Sequence, residues 1–480
     1  SFAGKTGIGT SYEQYQNGQY QDNATTGPVS KVWFSLAQGI LTETMSGLIH
    51  EAQLREMQLV IVGADFVDEE KTATISEIDY LAKDEQGRPT SLAYKVVNKA
   101  KNGKYQIEKH YFTDPTNQSM VIRTYFKALV DGLTVYTYLD PALNNTGSND
   151  TAIVSTGSVT AMEADSALTL MTVPAPVNAT VGFVGVSDGL TELKAQKTLT
   201  KSYSNTGETP GNVAALLTMP AVQNGVTSEW QQVIGFGKDA ASSQTSAQNT
   251  LKRGLDPVLA EFNGSGEAIG WQDYLTSLSE LSSLSAQSMD NGKLLYASAM
   301  VLKAQEDKTH AGAFIASLSN PWGDDKSAEV AQTGYKAVWP RDFYQVAMAL
   351  LALGDTQSPK VAFSYLEKVQ VKTNTAGFSG APGWFLQKTH VDGQIEWVGV
   401  QMDQTAMPIM LGWRLWQAGI LTDAEITQWY QQMLKPAADF LVQGGKVKID
   451  WNDAEIIPPS TQQERWEEQT GYSPSTMAAI

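Results

Sequence analysis

Three stretches of the sequence concentrate side chains able to hold a polyol and move a proton. The first is Tyr335-Lys-Ala-Val-Trp339-Pro-Arg341-Asp342, which runs into a predicted helix. Pro340 keeps its predecessor extended, and adjacent Arg and Asp at a helix entrance set a planar donor fork beside a carboxylate acceptor. A neutral polyol such as glucose suits that mixture, although an N-cap Asp beside a salt-bridging Arg leaves the same trace. The second, Gly393-Gln-Ile-Glu-Trp397-Val-Gly-Val-Gln401-Met-Asp403, also ends in a predicted helix. Trp397 offers a flat face to a sugar ring, with Gln401 and Asp403 as partners for hydroxyls; a packing Trp and a capping Asp fit the pattern equally well. The third, Glu464-Arg-Trp466-Glu467-Glu468-Gln-Thr-Gly-Tyr472, precedes a Ser-Pro-Ser-Thr helix start. Ionising both adjacent glutamates beside a Trp is costly, so one is expected to hold its proton to higher pH, as a general acid must. Solvated surface is the alternative for such an acidic loop.

Composition narrows the chemistry. With no cysteine, thiolate metal sites, iron–sulfur clusters, disulfides and cysteine nucleophiles are excluded. The four histidines, His50, His110, His310 and His390, have no metal-ligand spacing, and no cofactor is implied. A structural calcium agrees with the acidic charge but has no ligand spacing behind it. The formal charge is −17 and no long basic run occurs, which argues against nucleic acid or an anionic membrane as partner. No run of about 18 apolar residues is available to span a bilayer. Twelve Trp, 18 Tyr and 40 Gly with only 18% charged residues suit a secreted protein facing carbohydrate, its signal peptide already removed. Six Asn-x-Ser/Thr sequons, all at or before Asn263, are either coincidence or N-glycosylation sites.

Positioning those loops requires two kinds of structure. Runs such as Met57–Phe66, Thr74–Leu81, Ser91–Val97, Tyr105–Phe112, Met120–Leu129, Thr134–Leu139, Val181–Val186, Val213–Met219 and Trp230–Phe236 are rich in β-branched and aromatic residues and separated by turn residues. They predict an antiparallel sandwich, with no helix of useful length in residues 50–240. Beyond Ala240 the apolar period changes to three and four. Helices are predicted over Ser242–Phe262, Trp271–Leu281, Gly292–Gln305, Asp342–Leu353, Ser358–Val369, Asp403–Gln417 and Thr422–Val442, the last kinked at Lys435-Pro436, with a final one from Ser473. The expected domains are a β-supersandwich over 1–241, a helical linker over 242–288 and part of a helical barrel over 289–480.

Taken together, the chain resembles the glucoamylase and glucodextranase family of inverting glycoside hydrolases in its bacterial two-domain form. Lys5-Thr-Gly-Ile-Gly-Thr, Val32-Trp-Phe-Ser and Gly39-Ile-Leu-Thr-Glu resemble the start of that family's supersandwich. The three loops, above all Arg465-Trp-Glu-Glu to Ser475-Thr, resemble its substrate-site loops, which implies an (α/α)₆ barrel. By that resemblance Glu467 is the general acid and Glu468 a substrate-contacting carboxylate, while Arg341 and Asp342 grip the terminal glucose. Tyr335, Trp339 and Trp466 form the aromatic walls, and Trp397 and Gln401 reach toward the scissile bond. Glu464 stands where the family often has Asp, and Val400 and Met402 also depart from its pattern.

Inversion needs a second carboxylate about 6.5–9.5 Å from the acid, with a water between. The family's base lies near the end of its barrel, and residues 289–480 supply five helices and the start of a sixth. The base is therefore expected beyond Ile480, on a continuation of the polypeptide or a second chain that completes the barrel. The implied activity is exo-hydrolysis of terminal α-1,4 and α-1,6 glucosidic bonds of an α-glucan with release of β-D-glucose. A glucodextranase, an inverting phosphorylase and a non-catalytic carbohydrate-binding protein are the alternatives.

Overall fold

Runs of buried β-branched and aromatic residues explain why the first half pairs into sheets. The computed structural model describes residues 4–23, 27–319 and 333–480. One eight-stranded sheet runs in the order Gly7–Thr10, Val32–Ala37, Ile40–Ser46, Ala52–Val62, Thr134–Pro141, Val213–Thr218, Asn178–Phe183, with Val67–Glu69 on the side of Ala52–Val62. The other runs Thr151–Ser155, Ser158–Glu163, Ser166–Val173, Thr227–Gly237, Ser119–Ala128, Tyr105–Thr113, Tyr94–Ala100, Thr74–Tyr80. Pairing within both is antiparallel, with Tyr136 opposite Val60 and Val233 opposite Val121. The sandwich expected from the strand spacing is thus observed. Its outermost strand, Thr74–Tyr80, carries Glu77 and Asp79 on an open edge, charges that discourage further pairing.

Val32–Ala37 is buried along its whole length, so it shows no alternation. Phe34 meets Tyr94 of the second sheet edge-on at 6.1 Å, whereas Trp33 carries the Lys308 ammonium 5.3 Å over its ring. One face of this strand therefore fills the sandwich and the other meets the helical part of the chain.

The expectation of no helix in residues 50–240 is corrected by Gly189–Gln196. Asp188 caps it, accepting from Thr191 N at 3.0 Å, and Lys197 ends it in the left-handed conformation. Only Leu190 and Leu193 among its large apolar residues are buried, too few to set up a visible period. A single turn, Glu70–Ala73, also lies in this range.

The predicted helix over Ser242–Phe262 is two, Ala240–Arg253 and Leu255–Asn263, broken by Gly254 at φ 85°. Asp239 and Ser242 form a capping box at the first, which lies close on the second sheet because a Cβ at Gly235 would stand 2.1 Å from Ser243 O. Next come Trp271–Ser277, Leu281–Gln287, Lys293–Ala304, Pro340–Ala352, Ser358–Val369 and Met402–Gln417. Asp423–Trp429 passes through a widened turn, Tyr430–Leu434, into Lys435–Gln443. That turn sits just before Pro436, whose ring excludes a regular i→i−4 bond, so the expected kink appears as a local change of pitch. Pro474–Ala479 is the last helix. Among the described residues no helix is long and apolar enough to cross a membrane.

One apolar cluster runs from Phe34, Phe112 and Leu139 in the sandwich through Phe262 and Trp271 to Phe314, Phe343 and Leu366 among the helices. Trp271 is buried and donates from Nε1 to Thr10 O at 2.9 Å. The helices that carry the candidate site rest, through this cluster, on the β sandwich.

Candidate active site

Two helices, Pro340–Ala352 and Met402–Gln417, pack against each other and begin at the same end. Pro340 opens the first from an extended Trp339, and Gln401, also extended, precedes the second. Backbone bridges gather the preceding loops. Val338 and Thr389 exchange N–H···O bonds of 2.8 and 3.1 Å, linking the first loop to the strand pair Lys388–Thr389 and Ile395–Trp397. Gln463 N donates to Val400 O at 3.1 Å and Met402 N to Thr461 Oγ1 at 3.1 Å, tying the third loop to the second.

Arg341 joins all three. Its Nη1 donates to Gln401 Oε1 at 2.8 Å and Asp403 Oδ2 at 3.1 Å, and its Nη2 to Arg465 O at 3.2 Å. Gln401 and Asp403 are buried, and Gln401 Nε2 donates to Glu464 O at 2.8 Å. Asp342 is half-buried; burial raises its pKa, the Arg341 charge opposes this, and Asp403 adds to it. Tyr335 lies edge-on to Trp339 at 6.0 Å. Burial raises its hydroxyl pKa, and the charges of Asp342 and Glu467 raise it further.

Glu467 has a left-handed backbone, φ 67°, which costs a non-glycine residue roughly 1–3 kcal/mol. It is held there by donation from its N–H to Glu464 O at 2.8 Å and by Gln387 Nε2, which donates to Glu467 Oε1. Glu464 Oε1 accepts from Trp466 N at 2.7 Å, so this side chain braces the loop. Glu468 is exposed, as is Trp466 at 69%, with the Arg465 guanidinium 5.5 Å over its ring. Trp397 is 38% exposed, lies 4.9 Å from the Trp451 ring and donates from Nε1 to Gln463 Oε1 at 3.0 Å. Glu464, Arg465 and Trp466 line a recess of about 340 Å³.

The structure thus brings Tyr335, Trp339, Arg341, Asp342, Gln401, Asp403, Glu464 and Glu467 to one network at the helix entrances. Trp466 and Glu468 stand on its open side. Residues 1–276 match the family model for glucodextranase, domain N, and residues 290–480 match that for glycosyl hydrolases family 15. The chain belongs to the glucodextranase N-domain family. It is 34% identical over 462 residues to a glucoamylase from Clostridium sp. (strain G0005), which covers 94% of this chain and 58% of that protein. A crystal structure of a bacterial glucoamylase complexed with acarbose matches with TM-score 0.82 and 32% identity, covering 100% of this chain and 62% of that one. The chain therefore spans less than two thirds of the length of these relatives.

The family 15 segment also holds polar side chains that the sequence does not single out. Gln404 Oε1 accepts from Arg341 N at 2.9 Å, and Gln404 Nε2 donates to Gln401 Oε1 at 2.7 Å and Gln387 O at 3.3 Å. Its spacing of three from Gln401 on a helix entrance is a faint signal. Lys388 places its ammonium 4.9 Å over the Trp339 ring and pairs with Glu396. Burial raises the Glu396 pKa, but hydrogen bonds from His390, Lys388 and Thr333 outweigh this and bring it to about 2. Gln387 and Gln463 have no local signal at all. Among the described residues no group of three or more acidic or imidazole side chains is arranged to hold a metal.

Proposed function

We propose that the protein carrying this chain is an exo-acting α-glucan glucohydrolase that releases β-D-glucose from non-reducing ends by single displacement. Glu467 gives its proton to the glycosidic oxygen. The N–H groups that Arg341 leaves free and the Asp342 carboxylate take the hydroxyls of the terminal glucose. Gln401, Asp403 and the backbone of the Glu464 loop hold that guanidinium in place. Tyr335, Trp339 and Trp466 wall the sugar, while Trp397 and Glu468 face the next residue. The water-activating carboxylate comes from the length of the relatives that this chain does not span. Polymeric α-glucan implies a place outside the cell.

The observation that carries this reading is Arg341, whose one guanidinium binds the second and third loops together two residues from Glu467. It sets a planar donor for hydroxyls within reach of a candidate acid. Starch-type α-1,4 linkages are the first reading because two relatives above 30% identity are glucoamylases. Dextran-type α-1,6 linkages are the second, supported by the glucodextranase domain that residues 1–276 match.

The full-length protein should be incubated with maltose and with isomaltose, with and without phosphate, while the anomer of the released glucose is followed by NMR. β-Glucose appearing without phosphate is expected, and the faster disaccharide identifies the linkage. Retained α-glucose, or strict dependence on phosphate, overturns the mechanism. Glu467→Gln is expected to lower kcat about 10³-fold with ligand binding largely intact; an unaltered rate means that another residue is the acid.

A further inference from the structure

Among the described residues the buried amide of Gln387 is satisfied at one end only. Nε2 donates to Glu467 Oε1, an arrangement for an ionised carboxylate, which only accepts. Gln387 Oε1 is buried with no partner among the described residues, an unfavourable state for a buried acceptor. That oxygen and Gln463 Oε1 converge on one point, for a Cβ at Gly399 would lie 2.9 Å from the first and 1.9 Å from the second. Gln463 Oε1 meanwhile accepts from Trp397 Nε1. Two amide oxygens therefore face one another across a glycine, and neither supplies a hydrogen to the other.

Turning the Gln387 amide through 180° exchanges its ends, and partners alone distinguish them. Nε2 then points toward Gln463 Oε1, filling the gap. Oε1 points at Glu467, where it accepts a hydrogen bond only if the carboxyl carries its proton. We infer that Gln387 is a positioning residue whose amide turns with the proton on Glu467, the turned arrangement favouring the protonated carboxyl that must donate to the glycosidic oxygen. The inference rests on the reading of Glu467 as the general acid. When the proton has passed to the leaving oxygen, the amide turns back and Nε2 caps the carboxylate. The Gln387 backbone stays fixed meanwhile, its carbonyl accepting from Gln404 Nε2. Gly399 provides the room for the exchange, and Gln463 links it to Trp397.

Other charges bear on Glu467. Its own loop carries Glu464, Arg465 and Glu468, and the helix entrances carry Arg341, Asp342 and Asp403. Lys388 and Glu396 lie on the neighbouring strand pair, and the Tyr335 hydroxyl interacts with the Glu467 charge. All of them are unchanged in the Gln387 and Gln463 variants below, so a shift of the limb in those proteins reports the amides.

The test is the pH dependence of kcat/KM for maltose in the full-length protein, in Gln387→Leu and in Gln463→Leu. The basic limb, where the acid loses its proton, is expected to move about one unit to lower pH in Gln387→Leu and less far in the same direction in Gln463→Leu. Near neutral pH, Gln387→Leu should lose about tenfold on maltose but little on an α-glucoside with a dinitrophenolate leaving group, which departs without a proton. A basic limb that moves to higher pH means that the amide serves only the carboxylate, and overturns the inference; so does an unmoved limb in both variants. If Glu467→Gln keeps its activity, the assignment of the acid fails and the inference with it. If Glu467→Gln is inactive and the limb is unmoved, only the inference fails.

Discussion

Lys109 and Glu70, inside the sandwich, are 1% and 0% exposed with their charged atoms 2.6 Å apart; Arg341 and Asp403, at the helix entrances, are 17% and 4% exposed at 3.1 Å. Both are ion pairs taken largely out of water, yet they are completed differently. Glu70 also accepts from Leu59 N and Asn98 Nδ2, each at 2.7 Å, so the pair is enclosed by protein. Of the five N–H groups of Arg341, three meet protein partners among the described residues. The remaining two and the partial exposure leave one side of the fork open, which is the side the proposed function uses. A charge pair closed off from water on every side secures a fold, whereas one held on one side and partly exposed on the other has a face left over.

The strongest way to break this comparison is Lys109→Met. It leaves the Glu70 charge buried without its cation and is expected to cost about 3–5 kcal/mol in urea denaturation, with kcat of the folded fraction unchanged. A loss of activity without a loss of stability would mean that the sandwich pair serves the site. Arg341→Lys comes next: a point charge cannot reach Gln401, Asp403 and the Arg465 carbonyl together, so kcat/KM should fall about 10²-fold while stability changes by about 1 kcal/mol. The smallest effect lies between the two regions, at His50, whose ring is 4.6 Å from that of His390. Burial, and then the neighbouring His390, lower its pKa from 6.5 to about 4. The unfolded chain therefore takes up this proton before the folded one, and stability is lost as pH falls from 6.5 toward 4. His50→Asn should flatten that part of the urea-midpoint curve; parallel curves for the two proteins would place the acid sensitivity elsewhere.

What was legible in the sequence follows the range of the interactions. Pro340 before Arg341-Asp342 and the apolar period after Asp403 are local, and the helices begin within a residue or two of where they were expected. That the three loops lie together came from the family resemblance, since residue type alone left a capping, packing or solvated role open for each. Gly254 breaks Ser242–Phe262 in the structure, but the apolar period continues across it, so the sequence reads as one helix. Val32–Ala37 gave no alternation because both its faces are covered, one of them by residues nearly 300 positions later. Gln387 could not be found by pattern, since its partner Glu467 is 80 residues away and a buried Gln looks like any other.

The ammonium of Lys308 donates to Thr10 Oγ1, Ser11 O, Ser11 Oγ and Ser30 O, at 2.7, 2.8, 3.2 and 3.0 Å. These oxygens all belong to the first 30 residues, and together they replace the water that a buried cation loses. The same segment also accepts from Trp271, through Thr10 O, so it is held by the later part of the chain at two places. Opposite charge comes from both sides, from Glu13 in the sandwich region and from Glu306 and Asp307 next to the lysine itself. Two regions that match separate family models thus share one buried charge, its ammonium carried by one and its oxygens by the other.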